Sequence, residues 1–546
     1  MLTGCERPPY SSGTIMPHAI RPIAAVLPLL PLCLAAGPVL HAGRAAAPIG
    51  PVKVQGGMVA GVAGRKPGIT VFKGIPFAAP PVGDKRWKAP EPPVAWTGVR
   101  QAAEFGPSCI QRIVQESKPW TYEFMTHGAI SEDCLFVNVW TPAGAASEKR
   151  PVFVYIYGGA NTEGSGMVPV YDGEGLASKG LVVVTFNYRV GVLGFLNHPE
   201  LSKESPYHAS GNYGLLDQIA AVKWVHDNIA GFGGDPARVT IAGQSAGGQG
   251  VHNLTASPLA KGLFQRAIIE SAGGGSRPLA DGEADGVRFA EAKGAASLAA
   301  LRAKSWEELV APIPAPAGGG RGGGGIRFGI VVDGYALPAS VADTFAAGRQ
   351  NDVPTLTGNN ADEGGASPQP TVTAEEFARQ AKQRYGEAAD EFLRLYPAAT
   401  DEQAKTAAND SARDIARTTL YLWTMNRART GKTKSFTYFW THPLPGPDAA
   451  KYGAFHTSEV PYVLNTLERS DRPFTDVDRK IADLLSSYWV NFATTGDPNG
   501  TGLPSWPAAA DPGRWLTMEL NEQPHAVPVA ASPEKRAFIE RAQARR

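Results

Sequence analysis

A serine in a tight glycine-flanked turn is the first residue of this sequence that could do chemistry. Gly243-Gln244-Ser245-Ala246-Gly247 directly follows an apolar run at residues 239–242 and precedes a stretch compatible with a helix. In such a strand-to-helix turn the neighbouring positions must be small, and the turn exposes the serine hydroxyl. The amino end of the following helix points N–H groups at developing negative charge. The motif therefore predicts that Ser245 is a nucleophile.

A second glycine-rich turn could supply the hydrogen-bond donors that such a nucleophile needs. Tyr157-Gly158-Gly159-Ala160 stands at the end of an earlier apolar run. Small residues there let backbone N–H groups approach a substrate carbonyl oxygen, as the nucleophile-turn arrangement requires. We therefore expect this segment to lie beside Ser245.

A hydroxyl also needs a base, and the base needs an orienting carboxylate. In folds with this turn the order along the chain is serine, acid, histidine. Asp362 and Glu363 follow a predicted strand and compete for the role of acid. Of the four later histidines, His252 is too close to the serine and His525 lies in a Pro-rich tail, which leaves His442 and His456. Chemistry alone leaves both choices open.

The segments that must position these residues alternate between strand and helix patterns. Short apolar runs predict strands at residues 151–157, 181–186, 239–242, 267–269, 353–357 and 436–441. Continuous apolar runs are typical of strands buried on both faces of a mostly parallel sheet. Apolar residues recur at steps of three and four over residues 214–229, which predicts a helix between the second and third strands. The series indicates a doubly wound α/β fold.

Composition excludes several other classes of protein. The 546 residues include 52 Lys+Arg and 51 Asp+Glu, so the net charge is +1. Without a basic field, binding of nucleic acid through charge is not expected. Hydrophobic residues make up 43% of the chain, which argues against disorder. The spacing of His and Cys residues suggests no metal site.

The amino-terminal segment is typical of an export signal. Arg21 precedes an apolar run at residues 23–40, and small residues follow it. We expect residues 1–47 to be this segment, with the true start possible at Met16 and cleavage near Ala42 or Ala47. Residues 48–546 then form a single catalytic domain, exported to the periplasm or secreted, without a stable membrane span. Export leaves Cys109 and Cys134 as an even pair, for which a disulfide is the natural interpretation.

An ordered series of motifs now identifies a family that the sequence resembles. The chain resembles a bacterial exported member of the type-B carboxylesterase (carboxylesterase/cholinesterase) family of α/β-hydrolases. Besides the serine turn and the Gly-Gly segment, the motifs include Phe72-Lys73-Gly74-Ile75-Pro76-Phe77, Ser131-Glu132-Asp133-Cys134-Leu135, Asn212-Tyr213-Gly214-Leu215-Leu216-Asp217-Gln218, Asp362-Glu363-Gly364, and His456 with Glu459-Val460-Pro461-Tyr462-Val463. They extend from about Gly56 to Trp506, which is nearly all of the predicted mature chain.

The resemblance implies a role for each candidate residue. It makes Glu363 the acid and His456 the base, and it places the oxyanion hole at the N–H groups of Gly159, Ala160 and Ala246. It also implies the disulfide between Cys109 and Cys134 and a buried ion pair between Arg86 and Glu132. The implied fold has a large, mostly parallel sheet with helices on both faces and long loops that form an active-site gorge. The implied reaction is hydrolysis of a small-molecule ester through an acyl-enzyme, without a metal or a cofactor.

Three residues depart from the family pattern, and several others are candidates for the substrate pocket. Ala160 replaces a third glycine, Thr457 replaces a glycine after the histidine, and Gln244 stands where cholinesterases have a glutamate. Gln244 and three aromatic residues of the loop between the two cysteines are candidates to line the pocket; these three are Trp120, Tyr122 and Phe124.

Two alternatives accompany the esterase interpretation. The first is hydrolysis of a related acyl bond, namely an amide, carbamate, lactone or polyester, since the same triad would serve. The second is a non-catalytic binding protein, because the family includes adhesion proteins that lost the serine. The presence of Ser245, Glu363 and His456 argues against the second.

Overall fold

The computed structural model describes residues 49–313, 325–511 and 513–545. The predicted export segment at residues 1–47 lies outside these ranges. The described residues form one compact unit. Within the described ranges no helix combines the length and the apolar character needed to cross a bilayer.

An eleven-stranded sheet forms the centre of the molecule. In chain order its strands are β1 Val62–Ala63, β2 Thr70–Pro76, β3 Phe136–Thr141, β4 Arg150–Ile156, β5 Val182–Phe186, β6 Gly234–Gln244, β7 Arg266–Glu270, β8 Thr355–Asn360, β9 Ser435–Trp440, β10 Leu516–Leu520 and β11 His525–Pro528. The strands predicted from continuous apolar runs are β4 to β9. Nearly all residues of these six strands are buried, as expected for strands covered on both faces.

The order of the strands confirms the mostly parallel sheet that the sequence predicts. Across the sheet the order is β11-β10-β9-β8-β7-β6-β4-β5-β3-β2-β1. In this order, every pair of neighbouring strands from β10 across the sheet to β5 is parallel. The strands at the two edges pair antiparallel, namely β1 to β3 at one edge and β11 at the other.

Among the described residues, seven helices of more than ten residues surround the sheet. They are α1 Tyr213–Asn228, α2 Ala246–Ala256, α3 Leu279–Ala292, α4 Ala374–Tyr385, α5 Asp401–Ala428, α6 Asp476–Thr495 and α7 Pro533–Ala544. Helix α1 is the one predicted from periodicity, one residue earlier than expected. Its exposed positions are Lys223, His226 and Asp227, so it is buried over more of its surface than a single apolar face.

Shorter elements complete the described chain. The short helices are Glu174–Ala177, Gly191–Phe195, Pro199–Glu204, Leu298–Arg302, Trp306–Val310, Val341–Ala346, Ala389–Leu395, Ala449–Tyr452 and Val460–Val463. Three small sheets pair Val52–Val54 with Gly57–Ala60 and Val99–Gln101, Arg277–Pro278 with Val331–Val332, and Ser108–Cys109 with Ile130–Ser131.

The register of the parallel strands brings the candidate residues to one edge of the sheet. Gln244 at the end of β6 lies opposite Glu270 at the end of β7, and Glu270 lies opposite Gly358 of β8. The carboxyl ends of parallel strands share an edge, which is where ligands bind in open α/β sheets. The segments that follow β6, β7 and β8 therefore meet there.

Candidate active site

Ser245 occupies a sharp turn between β6 and α2. Its backbone has φ 58° and ψ −123°, a conformation that costs free energy for any residue other than glycine. The flanking glycines make the turn possible. A Cβ at Gly243 would lie 2.6 Å from the backbone of Gly247, and one at Gly247 would lie 1.9 Å from the Ile156 carbonyl oxygen. The turn therefore needs both glycines of the motif.

The Gly-Gly segment lies directly against this turn. A Cβ at Gly158 would lie 2.7 Å from the Gln244 carbonyl oxygen and 3.0 Å from Cβ of Ser245. Gly159 and Ala160 follow with φ of 116° and 55°, and both line the same cavity as Ser245. Ala246, the third residue expected to donate its N–H, is the first residue of α2. The backbone of two separate segments thus meets at Ser245.

The structure brings Glu363, rather than Asp362, to His456. His456 Nδ1 is hydrogen-bonded to Glu363 Oε2. The other carboxylate oxygen of Glu363 accepts from the backbone N–H of Asn360 at 2.6 Å and from the Ser271 hydroxyl at 2.9 Å. These bonds fix the carboxylate, which in turn fixes the orientation of the imidazole.

Asp362 has structural partners instead. Its Oδ1 accepts from Arg413 at 2.7 Å, and its Oδ2 accepts from the backbone N–H of Ala454 at 2.8 Å. Because Ala454 lies two residues before His456, this bond ties the acid-bearing and the histidine-bearing loops together.

The other histidines that follow the serine lie elsewhere. His442 is hydrogen-bonded to Asp478 through Nε2 at 3.0 Å. His252 is buried in α2, where burial lowers its pKa to about 4 and so keeps it neutral. His525 is exposed on β11. Of these, the structure brings only His456 to a carboxylate beside Ser245.

The His456–Glu363 contact shifts the pKa of both groups. Burial raises the pKa of Glu363, but the hydrogen bond and the charge of His456 outweigh it, and the net pKa is lowered. Burial lowers the pKa of His456, but the hydrogen bond and the charge of Glu363 outweigh it, and the net pKa is raised. The carboxylate is therefore ionised at neutral pH and stabilises the protonated imidazole.

A cavity of about 370 Å³ contains Ser245 and one side of His456. Of the four candidates for the substrate pocket, Trp120, Phe124 and Gln244 line this cavity. The Gln244 carboxamide lies against the imidazole, with Nε2 3.2 Å from His456 Nε2. The remaining lining is largely apolar, with the charged side chains of Arg112 and Glu163 also in the wall, so the cavity can hold a hydrocarbon group.

Tyr122 does not line this cavity, contrary to expectation. It is 61% exposed, and its ring stacks on His127 with 3.7 Å between the centroids. The reason is the short 3-10 turn Tyr122–Phe124. The middle residue Glu123 points inward and binds Arg472 at 2.6 Å, while Tyr122 lies on the outside.

The loop that carries Trp120 is fixed at both ends. Cys109 and Cys134 form a disulfide, as predicted. Next to it, Arg86 makes a two-point contact with Glu132, with Nε 2.7 Å from Oε2 and Nη2 2.5 Å from Oε1. The ion pair implied by the resemblance is therefore present, and a rigid base supports the loop.

Some partners of the site were not foreseen. Ser271 and Asn360 hold Glu363, although no motif marks them. Their position after β7 and at the end of β8 could have indicated them, because neighbouring parallel strands end at the same edge. The bond from Trp120 Nε1 to the Thr457 hydroxyl, at 2.7 Å, had no signal in the sequence.

Comparison with known proteins identifies the family of this chain. Residues 49–538 match the model of the carboxylesterase family. A fumonisin B1 esterase of Sphingopyxis macrogoltabida is 40% identical over 489 residues, covering 85% of each chain. A para-nitrobenzyl esterase of Bacillus subtilis (strain 168) is 35% identical over 473 residues, covering 84% of this chain and 92% of the relative.

A solved structure shares the architecture as well. A PNB esterase structure superposes with a TM-score of 0.73 at 31% identity, covering 90% of this chain and 99% of the other. This confirms the α/β-hydrolase fold that the sequence predicts. The match over nearly the whole described chain also confirms the enzyme class. The chain belongs to the carboxylesterase family and is a carboxylic-ester hydrolase.

Proposed function

We propose that Ser245, His456 and Glu363 hydrolyse esters through an acyl-enzyme. The observation that carries this proposal is the strained turn at Ser245 in one cavity with an imidazole that Glu363 holds. Ser245 Oγ attacks the ester carbonyl carbon while His456 takes its proton. His456 then protonates the alkoxide as the alcohol leaves. Water attacks the acyl-enzyme with His456 again as the base, which releases the acid and restores Ser245.

The oxyanion of each tetrahedral intermediate would be bound by the N–H groups of Gly159, Ala160 and Ala246. The contact of Gly158 with the turn supports this assignment, because it places the Gly-Gly segment beside Ser245. Removing one such donor typically lowers the rate about 10²–10³-fold. The methyl group of Ala160 leaves its N–H available.

The apolar part of the cavity wall supports substrates that carry a hydrocarbon group. Its side chains include Trp120, Phe124, Met125 and Val168, which would bury a hydrocarbon group by the hydrophobic effect. Two relatives are named as esterases of fumonisin B1 and of para-nitrobenzyl compounds. We propose that this chain likewise accepts esters of bulky alcohols.

The test is hydrolysis of p-nitrophenyl esters with linear acyl chains of increasing length. Wild type should release p-nitrophenol, and Ser245→Ala should lose the turnover. His456→Ala should also be inactive, whereas His442→Ala serves as the matched control and should remain active, since His442 binds only Asp478 in this part of the described structure. Activity in His456→Ala with loss in His442→Ala would exchange the two roles.

A folded protein that hydrolyses none of these esters would contradict the proposal. That result would favour an amide, carbamate, lactone or polyester as the substrate, or a binding function. Equal turnover by wild type and Ser245→Ala would remove Ser245 as the nucleophile.

We also propose that the protein is exported to the periplasm or the medium. The charged, apolar and small-residue order of residues 21–47 supports this, and so does the disulfide, because disulfides persist in oxidising compartments. Amino-terminal sequencing of the protein from fractionated cells should give a new end near Ala42 or Ala47. An intact amino terminus in the cytoplasm would contradict export.

A further inference from the structure

Thr457 has a backbone conformation that a β-branched residue rarely adopts. Its φ is 84°, in the left-handed region that favours glycine, and the residue is buried. A glycine would adopt this conformation without strain. Strained residues of this kind persist where the surrounding structure uses them, so the side chain of Thr457 needs an explanation.

The hydroxyl of Thr457 connects Trp120 to the backbone of the base. It accepts a hydrogen bond from Trp120 Nε1 at 2.7 Å and donates one to the His456 carbonyl oxygen. The same indole N–H lies 3.1 Å from that carbonyl. A glycine at this position has no hydroxyl and could not make this bond to the indole, which joins two residues 337 positions apart in the sequence.

Trp120 stands between two cavities. The first is the cavity of about 370 Å³ that contains Ser245, and the second, of about 860 Å³, reaches from Glu363 to helix α5. Among the described residues, Trp120 and His456 are the two that line both. The second cavity is also largely apolar, with Ile415, Leu420 and Trp423 in its wall. The indole therefore closes the smaller cavity toward the larger one.

We propose that Thr457 is a positioning residue that limits the size of the acyl group by holding Trp120 as this wall. This inference rests on the proposed function, because it concerns the substrate of the same site. When the hydroxyl is lost, the indole N–H keeps only its longer bond to the His456 carbonyl oxygen, so the ring is held less firmly and a long acyl chain gains access to the second cavity. A purely structural role would instead lower stability without changing selectivity.

The experiment compares kcat/KM for p-nitrophenyl dodecanoate and p-nitrophenyl butyrate in four proteins. Thr457→Val keeps the branched shape and removes the hydroxyl, so the dodecanoate-to-butyrate ratio should rise at least about tenfold, since even one newly accommodated methylene is worth roughly that factor. Thr457→Ser keeps the hydroxyl and should retain the wild-type ratio. Thr466→Val is the matched control, because Thr466 is a buried threonine whose hydroxyl bonds the Val170 carbonyl oxygen at 3.0 Å and lines neither cavity.

Trp120→Phe tests the same bond from the other side, and it replaces Thr457→Val if that variant does not fold. It removes the indole N–H and should also raise the dodecanoate-to-butyrate ratio. The double variant Trp120→Phe/Thr457→Val should have a ratio close to that of either single variant, because both changes remove the same bond. An unchanged ratio in both single variants would overturn the inference, as would an equal rise in Thr457→Ser or Thr466→Val. Failure of the proposed function is seen separately, as turnover that persists in Ser245→Ala.

Discussion

At the scale of single residues, Glu363 owes its role to the groups that surround it. The backbone N–H of Asn360 and the Ser271 hydroxyl hold one oxygen, while His456 occupies the other. Glu363→Gln preserves the shape but presents a neutral carboxamide to the imidazole. We expect kcat/KM to fall about 10³–10⁴-fold, because the imidazolium loses its stabilising charge and its tautomer is no longer fixed.

The measurement is kcat/KM on a short p-nitrophenyl ester together with the melting temperature. The melting temperature should change little, since the contacts to Asn360 and Ser271 can persist through the amide oxygen. Activity close to that of wild type would remove Glu363 as the acid.

The pH dependence of activity follows from the raised pKa of His456. The base must be neutral to accept the proton of Ser245, so kcat/KM should rise with pH through a midpoint above the ordinary histidine value of 6.5. Gln244→Glu places a carboxylate where the carboxamide now lies 3.2 Å from His456 Nε2, and it should move that midpoint to higher pH. A wild-type midpoint below 6.5, or a downward shift in Gln244→Glu, would contradict this reasoning.

At the scale of elements, the turn between β6 and α2 depends on close approach of backbone atoms. A Cβ on Gly247 would lie 1.9 Å from the Ile156 carbonyl oxygen of β4, and main-chain atoms cannot give way as a flexible side chain would. Gly247→Ala should therefore destabilise the fold by about 2 kcal/mol or more, in the range of overpacked cores.

The measurement is the denaturant midpoint of Gly247→Ala beside Gly329→Ala. A Cβ on Gly329 would meet nothing within 4 Å, so this control should match wild type. Equal midpoints for all three proteins would show that β4 and α2 can separate without cost.

The same scale shows why some elements could be predicted from sequence. Strands β4 to β9 are buried on both faces, so each reads as a continuous apolar run, and the predicted positions differ from the observed ones by a few residues. β6 is longer than predicted, because its first half, Gly234 to Arg238, contains no apolar run and is only partly buried. The antiparallel strands β1 to β3 and β11, and the parallel strand β10 next to that edge, are not among the predicted strands, because they do not read as the continuous apolar runs on which the prediction relied.

At the scale of the whole molecule, contacts between distant segments decide what the sequence could not reveal. The serine turn and the chain order led to Ser245 and to a choice between two acids and two histidines, and the family resemblance selected Glu363 and His456. The wall at Trp120 depends on a hydrogen bond to Thr457, and the exposure of Tyr122 depends on an ion pair between Glu123 and Arg472. Such partners are determined by how loops pack against each other, and the local sequence of a loop shows no periodic pattern or motif that would predict this packing.

Beneath the site, two fully buried carboxyl groups, those of Glu270 and Glu459, make the stability of the fold depend on pH. Glu270 accepts from Trp489 Nε1 at 2.8 Å, and Glu459 accepts from Asn360 Nδ2 at 2.5 Å. Burial raises the pKa of both, and the neighbouring charge of Glu270 raises that of Glu459 further. The folded protein therefore holds protons on this pair at a pH where the unfolded chain has released them.

Because the folded state binds more protons above the ordinary carboxyl pKa of 4.5, the free energy of unfolding should fall as the pH rises from there toward about 8, where the pair ionises. Glu459→Gln mimics the protonated form and should lose less stability over this interval. Denaturant midpoints at mildly acidic and mildly alkaline pH measure the difference. Glu402→Gln, with a side chain 85% exposed, is the control and should parallel wild type. If Glu459→Gln also paralleled wild type, Glu459 would not contribute to the pH dependence of stability, and this prediction would be wrong.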